Sequence, residues 1–140
     1  MDLEKAVEFA RTRTKSVLVT QSANGRPQLS NVMHHVSDDG VVRISITSSR
    51  VKYQNLVREP WAALHVTSED FWSWVVLEGD VSLTPVAAAP DDATVEELVE
   101  LYRGLSGEHQ DWDDYRASMV KDGRVVVRIA PIRGYGQLQG

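Results

Sequence analysis

The sequence contains no cysteine, no long hydrophobic run and no excess of basic residues. The absence of cysteine from its 140 residues excludes disulfides, thiol nucleophiles and cysteine-based metal sites. No stretch approaches the roughly 18 apolar residues that suggest a transmembrane helix, so we expect no membrane span. The net charge of −5 argues against a general nucleic-acid or membrane-surface binder, since such proteins present a basic face.

Several familiar catalytic and metal-binding motifs are also missing. There is no P-loop, no GxSxG and no GxGxxG, so hydrolases of familiar type are disfavoured. The histidines His34, His35, His65 and His109 lack the i, i+4 helical spacing of a zinc motif, and we expect no metal. The N-terminus has early acidic residues and no apolar run, which predicts no signal peptide and a cytoplasmic location.

The apolar pattern predicts a single domain, residues 1–140, made mainly of strands. Patterns of period two predict strands at residues 16–23, 28–36, 41–47, 61–68, 71–85 and 124–130, the fifth with a bulge near Gly79. Helical spacing predicts helices at residues 3–10 and 50–58, and a late pair that begins after residues 90–92 and near Trp112. Because βαβ units are absent, we expect an antiparallel barrel with helices packed outside it.

The stretch ITSSRVKYQNL places two hydroxyls and two cations where a strand passes into a helix. If the helix begins near Arg50, then Ser48 or Ser49 is its N-cap, and the free N–H groups there favour an anion. Arg50 can contact phosphate through two N–H groups, Lys52 adds a charge, and Asn55 adds a neutral hydrogen bond one turn later. The alternative is a solvated helix start with exposed cations, and spacing alone favours this plainer explanation.

Two further groups of residues have both a structural and a functional explanation. Gln28, Ser30 and Asn31 are polar within a predicted strand, where they either face solvent or meet the donors and acceptors of a heterocycle. Trp72 and Trp74 would share a strand face. They either belong to the core or a dimer interface, or form an aromatic wall beside a flat ring system.

Longer segments resemble a known family across nearly the whole chain. The segments that carry the resemblance are NGRPQLSNV, RVKYQNLVREPWAAL, an EG that closes a strand and a terminal YG. The resemblance, in order and spacing, is to the pyridoxamine-5'-phosphate-oxidase-like split barrels. APDDATVEELVELYRGLSGEHQDWDDYRASMV is similar to a segment of the actinobacterial deazaflavin-dependent branch. The resemblance implies an antiparallel six-stranded split β-barrel of the FMN-binding type, usually a homodimer with two cofactor sites at the subunit interface.

The same resemblance implies a cofactor and its site. The cofactor is coenzyme F420, an 8-hydroxy-5-deazaflavin with a phospholactyl-glutamate tail. The implied cofactor-binding residues are Gln28, Leu29, Ser30, Asn31, Ser48, Ser49, Arg50, Lys52, Asn55 and Trp72. Arg50 and Lys52 would hold the phosphodiester, the strand at residues 28–31 would run beside the ring, and Trp72 would approach from the other subunit.

The implied activity is hydride transfer from reduced deazaflavin to a small conjugated acceptor of the enone, quinone or tetrapyrrole type. No side chain stands out as the proton donor, so we expect solvent to supply the proton, and no catalytic residue is assigned. Two alternatives stay open, namely an FMN-dependent oxidoreductase of the same fold and a non-catalytic protein that stores or carries the cofactor. The short C-terminus APIRGYGQLQG lacks the arginine-rich segment of true pyridoxamine-phosphate oxidases, so oxidation of that vitamin is not predicted.

Overall fold

The computed structural model describes residues 1–139, in which the chain forms four helices and seven strands. The helices are α1 (Leu3–Arg11), α2 (Val51–Arg58), α3 (Ala93–Ser106) and α4 (Trp112–Asp122). The strands are β1 (Lys15–Gln21), β2 (Pro27–Met33), β3 (His35–Val36), β4 (Val42–Thr47), β5 (Trp61–Thr67), β6 (Trp74–Leu83) and β7 (Arg124–Gln137). None of the helices within these residues is long and apolar enough to cross a membrane.

All the strands belong to one antiparallel sheet that curls into a half-barrel flanked by helices. The strand order is β2-β1-β5-β6-β7-β4-β3. The predicted split-barrel fold is confirmed, with one small difference in strand count. The predicted strand at residues 28–36 is divided at His34, which leaves β3 as a separate strand of two residues.

The division has a physical cause, because the His34 side chain is drawn into the protein interior. Its ring is fully buried, and Nε2 donates to the Ala10 carbonyl oxygen in the last turn of α1 at 2.9 Å. Nδ1 accepts from the Ser16 hydroxyl at 2.7 Å. The carbonyl can only accept, so the proton of the neutral ring lies on Nε2. His34 therefore joins α1 to β1 and the β2–β3 connection.

The core of the half-barrel is built from alternate strand residues. In β4, Val42, Ile44 and Ile46 are buried while the residues between them are half-exposed, as the period of two predicts. The helix α1 packs against the same core through Ala6, which is fully buried. A Cβ atom at Gly134 of β7 would lie 2.7 Å from the Ala6 Cβ, so this helix needs a glycine opposite it.

The α3–α4 pair covers the other face of β4 and β7. The buried residues of this second cluster are Ala87, Val95, Leu98, Val99, Met119 and Val126. The Glu97 carboxylate of α3 accepts from Nε of Arg43 at 3.2 Å and from Nε of Arg128 at 2.8 Å. Because these arginines lie side by side on β4 and β7, the ion pairs fix α3 to the sheet.

The prediction for the start of the fifth strand was wrong. The strand β6 begins at Trp74, and the residues before it form a turn in which the Asp70 carboxylate accepts from the Ser68 hydroxyl and the Trp72 backbone N–H. Such local side-chain bonds compete with strand pairing. Trp72 and Trp74 therefore do not share a strand face. The bulge predicted near Gly79 is confirmed by a register shift between Glu78 and Gly79.

Candidate functional site

Two chain connections meet where β4 ends and β7 begins. Thr47 pairs with Arg124 in the β4–β7 ladder, and the Ser48 backbone N–H donates to the Gly123 carbonyl oxygen at 2.9 Å. Gly123 follows α4 in the left-handed conformation, with φ of 63°, which glycine adopts without strain. The start of α2 and the start of β7 are thus fixed beside each other.

A cleft of about 430 Å³ opens at this meeting point. Three cationic residues line it, namely Arg50 at the start of α2, Lys52 in its first turn and Arg124 at the start of β7. No aspartate or glutamate among residues 1–139 lines it. We call this site the cationic cleft.

The remaining lining of the cationic cleft comes from strand ends and from the helical pair. The strand residues are Asn31, Val32, Met33, Ser45, Ile46 and Thr47. The helical residues are Leu101, Tyr102, Leu105, Tyr115 and Met119. Burial raises the pKa of Tyr115 to about 12, and its hydroxyl donates to the Leu98 carbonyl oxygen at 2.9 Å. Tyr115 therefore stays neutral near pH 7, and its hydroxyl proton is used by the Leu98 carbonyl.

Of the three cations of the cationic cleft, only Arg124 has a neighbouring acid, Asp122, in the described part of the chain. Partial burial lowers the pKa of Lys52, and the charges of Arg50 and then Arg124 lower it further. Neither Arg50 nor Lys52 has a carboxylate within 4.0 Å in the described part of the chain. Nε of Arg124 lies 3.6 Å from the Asp122 carboxylate, and it is buried without a hydrogen-bond partner among residues 1–139.

The prediction that Ser48 or Ser49 caps α2 was wrong. The N-cap is Arg50, in extended conformation with φ of −81° and ψ of 151°, and no side chain caps the helix. The Arg50 backbone N–H donates to the Thr47 carbonyl oxygen at 3.1 Å, so both serines lie within a turn. Because of this turn, α2 begins at Val51, and its first N–H groups have no side-chain acceptor.

Asn55 does not line the cationic cleft. Its side chain is 2% exposed, and its amide nitrogen donates to the Thr20 hydroxyl at 3.1 Å while its amide oxygen accepts from Arg58 at 3.0 Å. The amide is thus committed to protein partners and does not supply the hydrogen bond to an anion that spacing suggested. Instead, Asn55 anchors α2, which carries Arg50 and Lys52, to β1.

The four predicted residues of β2 are divided between two faces of the strand. Gln28 and Ser30 lie on one face, where the Gln28 amide donates to the Ser30 hydroxyl at 2.9 Å and accepts from Thr20 at 2.8 Å. Leu29 and Asn31 lie on the other face, and Leu29 is 60% exposed. Of these four, Asn31 lines the cationic cleft.

Trp72 lies away from the cationic cleft of its own chain, on the turn between β5 and β6. It is 65% exposed, and its ring meets the Phe71 ring edge-on with centroids 5.1 Å apart. Phe71 has a φ of 81°, which is rare for a bulky residue and costs conformational energy. The turn thus holds two large aromatic side chains in solvent.

Sequence reasoning did not identify Arg124 or the residues of α3 and α4 that line the cleft. Arg124 directly follows the glycine that ends α4, and it begins a strand whose buried residues dominate the pattern. Only the pairing of Thr47 with Arg124 brings it to Lys52, and a local pattern does not reveal that pairing.

Comparisons with known proteins agree with the fold. The solved structure of a conserved hypothetical protein from Mycobacterium tuberculosis superposes with a TM-score of 0.75 at 20% identity, covering 99% of this chain and 85% of that one. A protein named F420 reductase gives 0.70 at 22% identity, covering 93% and 96%. HutZ, the heme storage protein of Vibrio cholerae, gives 0.69 at 15% identity, covering 97% and 95%.

At these identities the structural likeness shows the fold alone, whereas a sequence-family match shows the family. The family model described as pyridoxamine 5'-phosphate oxidase matches residues 3–138, nearly the whole chain. This protein therefore belongs to the pyridoxamine 5'-phosphate oxidase family.

Proposed function

We propose that this protein is a coenzyme F420-dependent reductase. The observation that carries the proposal is the cationic cleft, where Arg50, Lys52 and Arg124 come together in a chain of net charge −5. Arg50 and Lys52 have no acid partner among residues 1–139 and repel each other, and a bound anion offsets that repulsion. The phosphodiester of the F420 tail is such an anion. Membership of a family that binds flavin or deazaflavin cofactors supports the choice of ligand.

The residues at the start of α2 have the donor chemistry that a phosphodiester needs. Arg50 offers paired N–H groups, Lys52 adds a compact charge, and the uncapped N–H groups of the helix point toward its N-terminus. We assign the phosphodiester to Arg50 and Lys52, with Ser48 and Ser49 forming the turn that presents them.

The ring of the cofactor is assigned to β2, along residues 28–31, with Asn31 nearest to the cationic cleft. When bound, the deazaflavin supplies a hydride for a small conjugated acceptor of the enone, quinone or tetrapyrrole type. The apolar side chains of Leu105 and Met119 line the same cleft and exclude water from part of it, which strengthens the electrostatic contacts inside. No side chain of the chain is assigned as proton donor.

We also propose that the protein is a homodimer in which Trp72 reaches the cofactor of the partner. Trp72 and Phe71, which are in contact on one turn and 65% and 61% exposed, support a second copy as the cover for this surface. Sedimentation in solution tests the assembly. A stable monomer that binds cofactor at full affinity would rule out a site shared between subunits.

Titration of the apoprotein with coenzyme F420, FMN and hemin, followed by tryptophan fluorescence, tests the choice of ligand. We expect the tightest binding for F420. Preference for FMN would favour the FMN-dependent alternative, and preference for hemin would favour a function like the one named for HutZ. Turnover of reduced F420 with quinone acceptors then separates a reductase from a cofactor carrier.

Single substitutions test the assignment of the phosphodiester. We expect Arg50→Ala and Lys52→Ala each to weaken F420 binding about tenfold or more, since hydrogen bonds to charged groups contribute roughly 1.5–3 kcal/mol. Arg26→Ala is the matched control, because Arg26 is exposed in the β1–β2 turn and does not line the cleft. Unchanged affinity in both cleft variants would place the phosphate elsewhere.

A further inference from the structure

We propose that Arg124 is a direct phosphate ligand, donating from its guanidinium to the ligand that occupies the cationic cleft. The ligand class is a phosphate ester, either a phosphodiester or a phosphomonoester. The inference rests on the proposed function, because it adds a binding residue to the same site. Neither sequence motifs nor helix capping pointed to Arg124, since it lies far along the chain from Arg50 and Lys52.

The first argument is that the Arg124 guanidinium has an unused donor. Nε is buried, yet it has no hydrogen-bond partner among residues 1–139. The Asp122 carboxylate lies 3.6 Å away, beyond hydrogen-bond distance, and Nη1 makes only a long contact of 3.4 Å with the Ser45 hydroxyl. The guanidinium thus has no close acceptor among residues 1–139, and a phosphate oxygen in the cleft that Arg124 lines would supply one.

The second argument is that the backbone holds Arg124 in place from two sides. Its pairing with Thr47 sets the register of β7 against β4, and the Ser48–Gly123 hydrogen bond fixes the preceding residue. A Cβ atom at Gly123 would lie 2.9 Å from the Ser48 hydroxyl oxygen, so little room is left for this connection to shift. The backbone at Arg124 is therefore preorganised in the absence of ligand.

The third argument is electrostatic and supports the geometry. The pKa of Lys52 is lowered first by burial and then by the positive charges of Arg50 and Arg124. Arg124 and Lys52 also line the same cleft, so both can act on one ligand charge. An anion between these residues would turn their mutual repulsion into shared attraction.

The test compares Arg124→Gln with the exposed control Arg26→Gln in binding F420, FMN and pyrophosphate. We expect Arg124→Gln to weaken binding of F420 at least tenfold, and Arg26→Gln to leave it unchanged. Arg124→Lys keeps the charge but loses the paired donors of the guanidinium, so we expect its affinity to lie between those of the wild type and Arg124→Gln. Should Arg124→Gln fail to fold, as judged by its melting transition, Arg124→Lys carries the test alone.

The salt dependence of binding distinguishes a direct contact of Arg124 with the ligand from a long-range electrostatic effect of its charge. Raising the salt from about 0.1 M to about 1 M shortens the Debye length from roughly 10 Å to roughly 3 Å, which screens exposed charges far more than a buried contact. We expect the fold-loss caused by Arg124→Gln to persist at high salt. A loss that disappears would show that Arg124 acts only through its field, and it would overturn the inference.

The outcomes for this inference and for the proposed function are distinguishable. If F420 binds the wild type and Arg124→Gln equally well, the inference fails while the proposed function stands. If F420 does not bind but pyrophosphate or FMN binds and depends on Arg124, the proposed function fails while the phosphate ligand assignment stands.

Discussion

The buried His34 predicts that the protein loses stability in mild acid. Its ring is 0% exposed, and both nitrogens are occupied, by the Ala10 carbonyl and the Ser16 hydroxyl. Burial is the largest effect and lowers the pKa below 6.5; the Ala10 carbonyl opposes this shift, and the charge of His35 adds to it. The folded protein therefore binds this proton less tightly than the unfolded chain does.

The size of the effect follows from proton linkage. Below pH 6.5 the unfolded state binds the His34 proton and the folded state does not, so the free energy of unfolding falls as the pH falls. For one proton the slope approaches about 1.4 kcal/mol per pH unit, and it continues down to the lowered pKa of the folded state. Against a typical total of about 5–15 kcal/mol, one pH unit is a measurable loss.

Urea unfolding of the wild type and His34→Gln, between about pH 7.5 and pH 5.5, measures this slope. Glutamine keeps one donor and one acceptor but does not titrate in this range. We expect the variant to be less stable near neutral pH and to have a flatter pH dependence, so that the two curves converge toward acid. Parallel curves would mean that folded His34 takes up its proton without penalty, and they would refute the reasoning.

Two other substitutions test the sheet and its attached helices. Gly79→Ala would place a Cβ atom 2.1 Å from the Ala130 carbonyl oxygen at the bulge, so we expect a loss of about 1–3 kcal/mol in urea unfolding, and an unchanged midpoint would contradict the close approach. Glu97→Gln removes the carboxylate that pairs with Arg128, and we expect a loss of about 1–3 kcal/mol near neutral pH. The Arg128 hydrogen bond is the main cause that lowers the pKa of Glu97 below 4.5, so this stabilisation is present above pH 4.5 and is lost as the pH falls further. Equal stability of wild type and Glu97→Gln at neutral pH would show that the ion pair contributes nothing.

The barrel could be predicted because its strands carry a strong period-two signal. Val42, Ile44 and Ile46 alternate with polar residues, and the structure buries these three. The break at His34 could not be predicted in the same way, since the alternation continues through it. What stops the strand is a pair of distant partners, Ala10 and Ser16, which a local pattern does not show.

The predicted strand that included Trp74 was wrong for a different reason, because it began too early in the sequence. A signal was present, because Ser68 and Asp70 are residues that form local turns. The aromatic run that follows them has high strand propensity, and it outweighed the turn in the prediction. The side-chain bonds of Asp70 prevail because they satisfy the Trp72 backbone N–H locally, without a neighbouring strand.

The candidate site was predictable only where its residues are close in sequence. Arg50 and Lys52 belong to one strand-to-helix connection, so the sequence groups them as one candidate anion site; spacing alone favoured a solvated helix start, and the family resemblance favoured the anion. Arg124 comes from the far side of the sheet, and it joins them through the pairing of β4 with β7. Asn55 had a suitable spacing, but the nearby Thr20 hydroxyl and Arg58 satisfy its amide first.

The cationic cleft joins residues that repel one another in a chain that is acidic as a whole. Asp122 lies beside Arg124, but Arg50 and Lys52 have no acid partner among residues 1–139, and burial of Lys52 adds to its unfavourable energy. The surrounding fold offsets this cost, because the Thr47–Arg124 pairing and the Ser48–Gly123 hydrogen bond hold the charges together. Since Arg50, Lys52 and Arg124 meet only in the folded state, an anion that binds them all must stabilise that state. Such a site is therefore better explained by selection for an anionic ligand than by selection for stability.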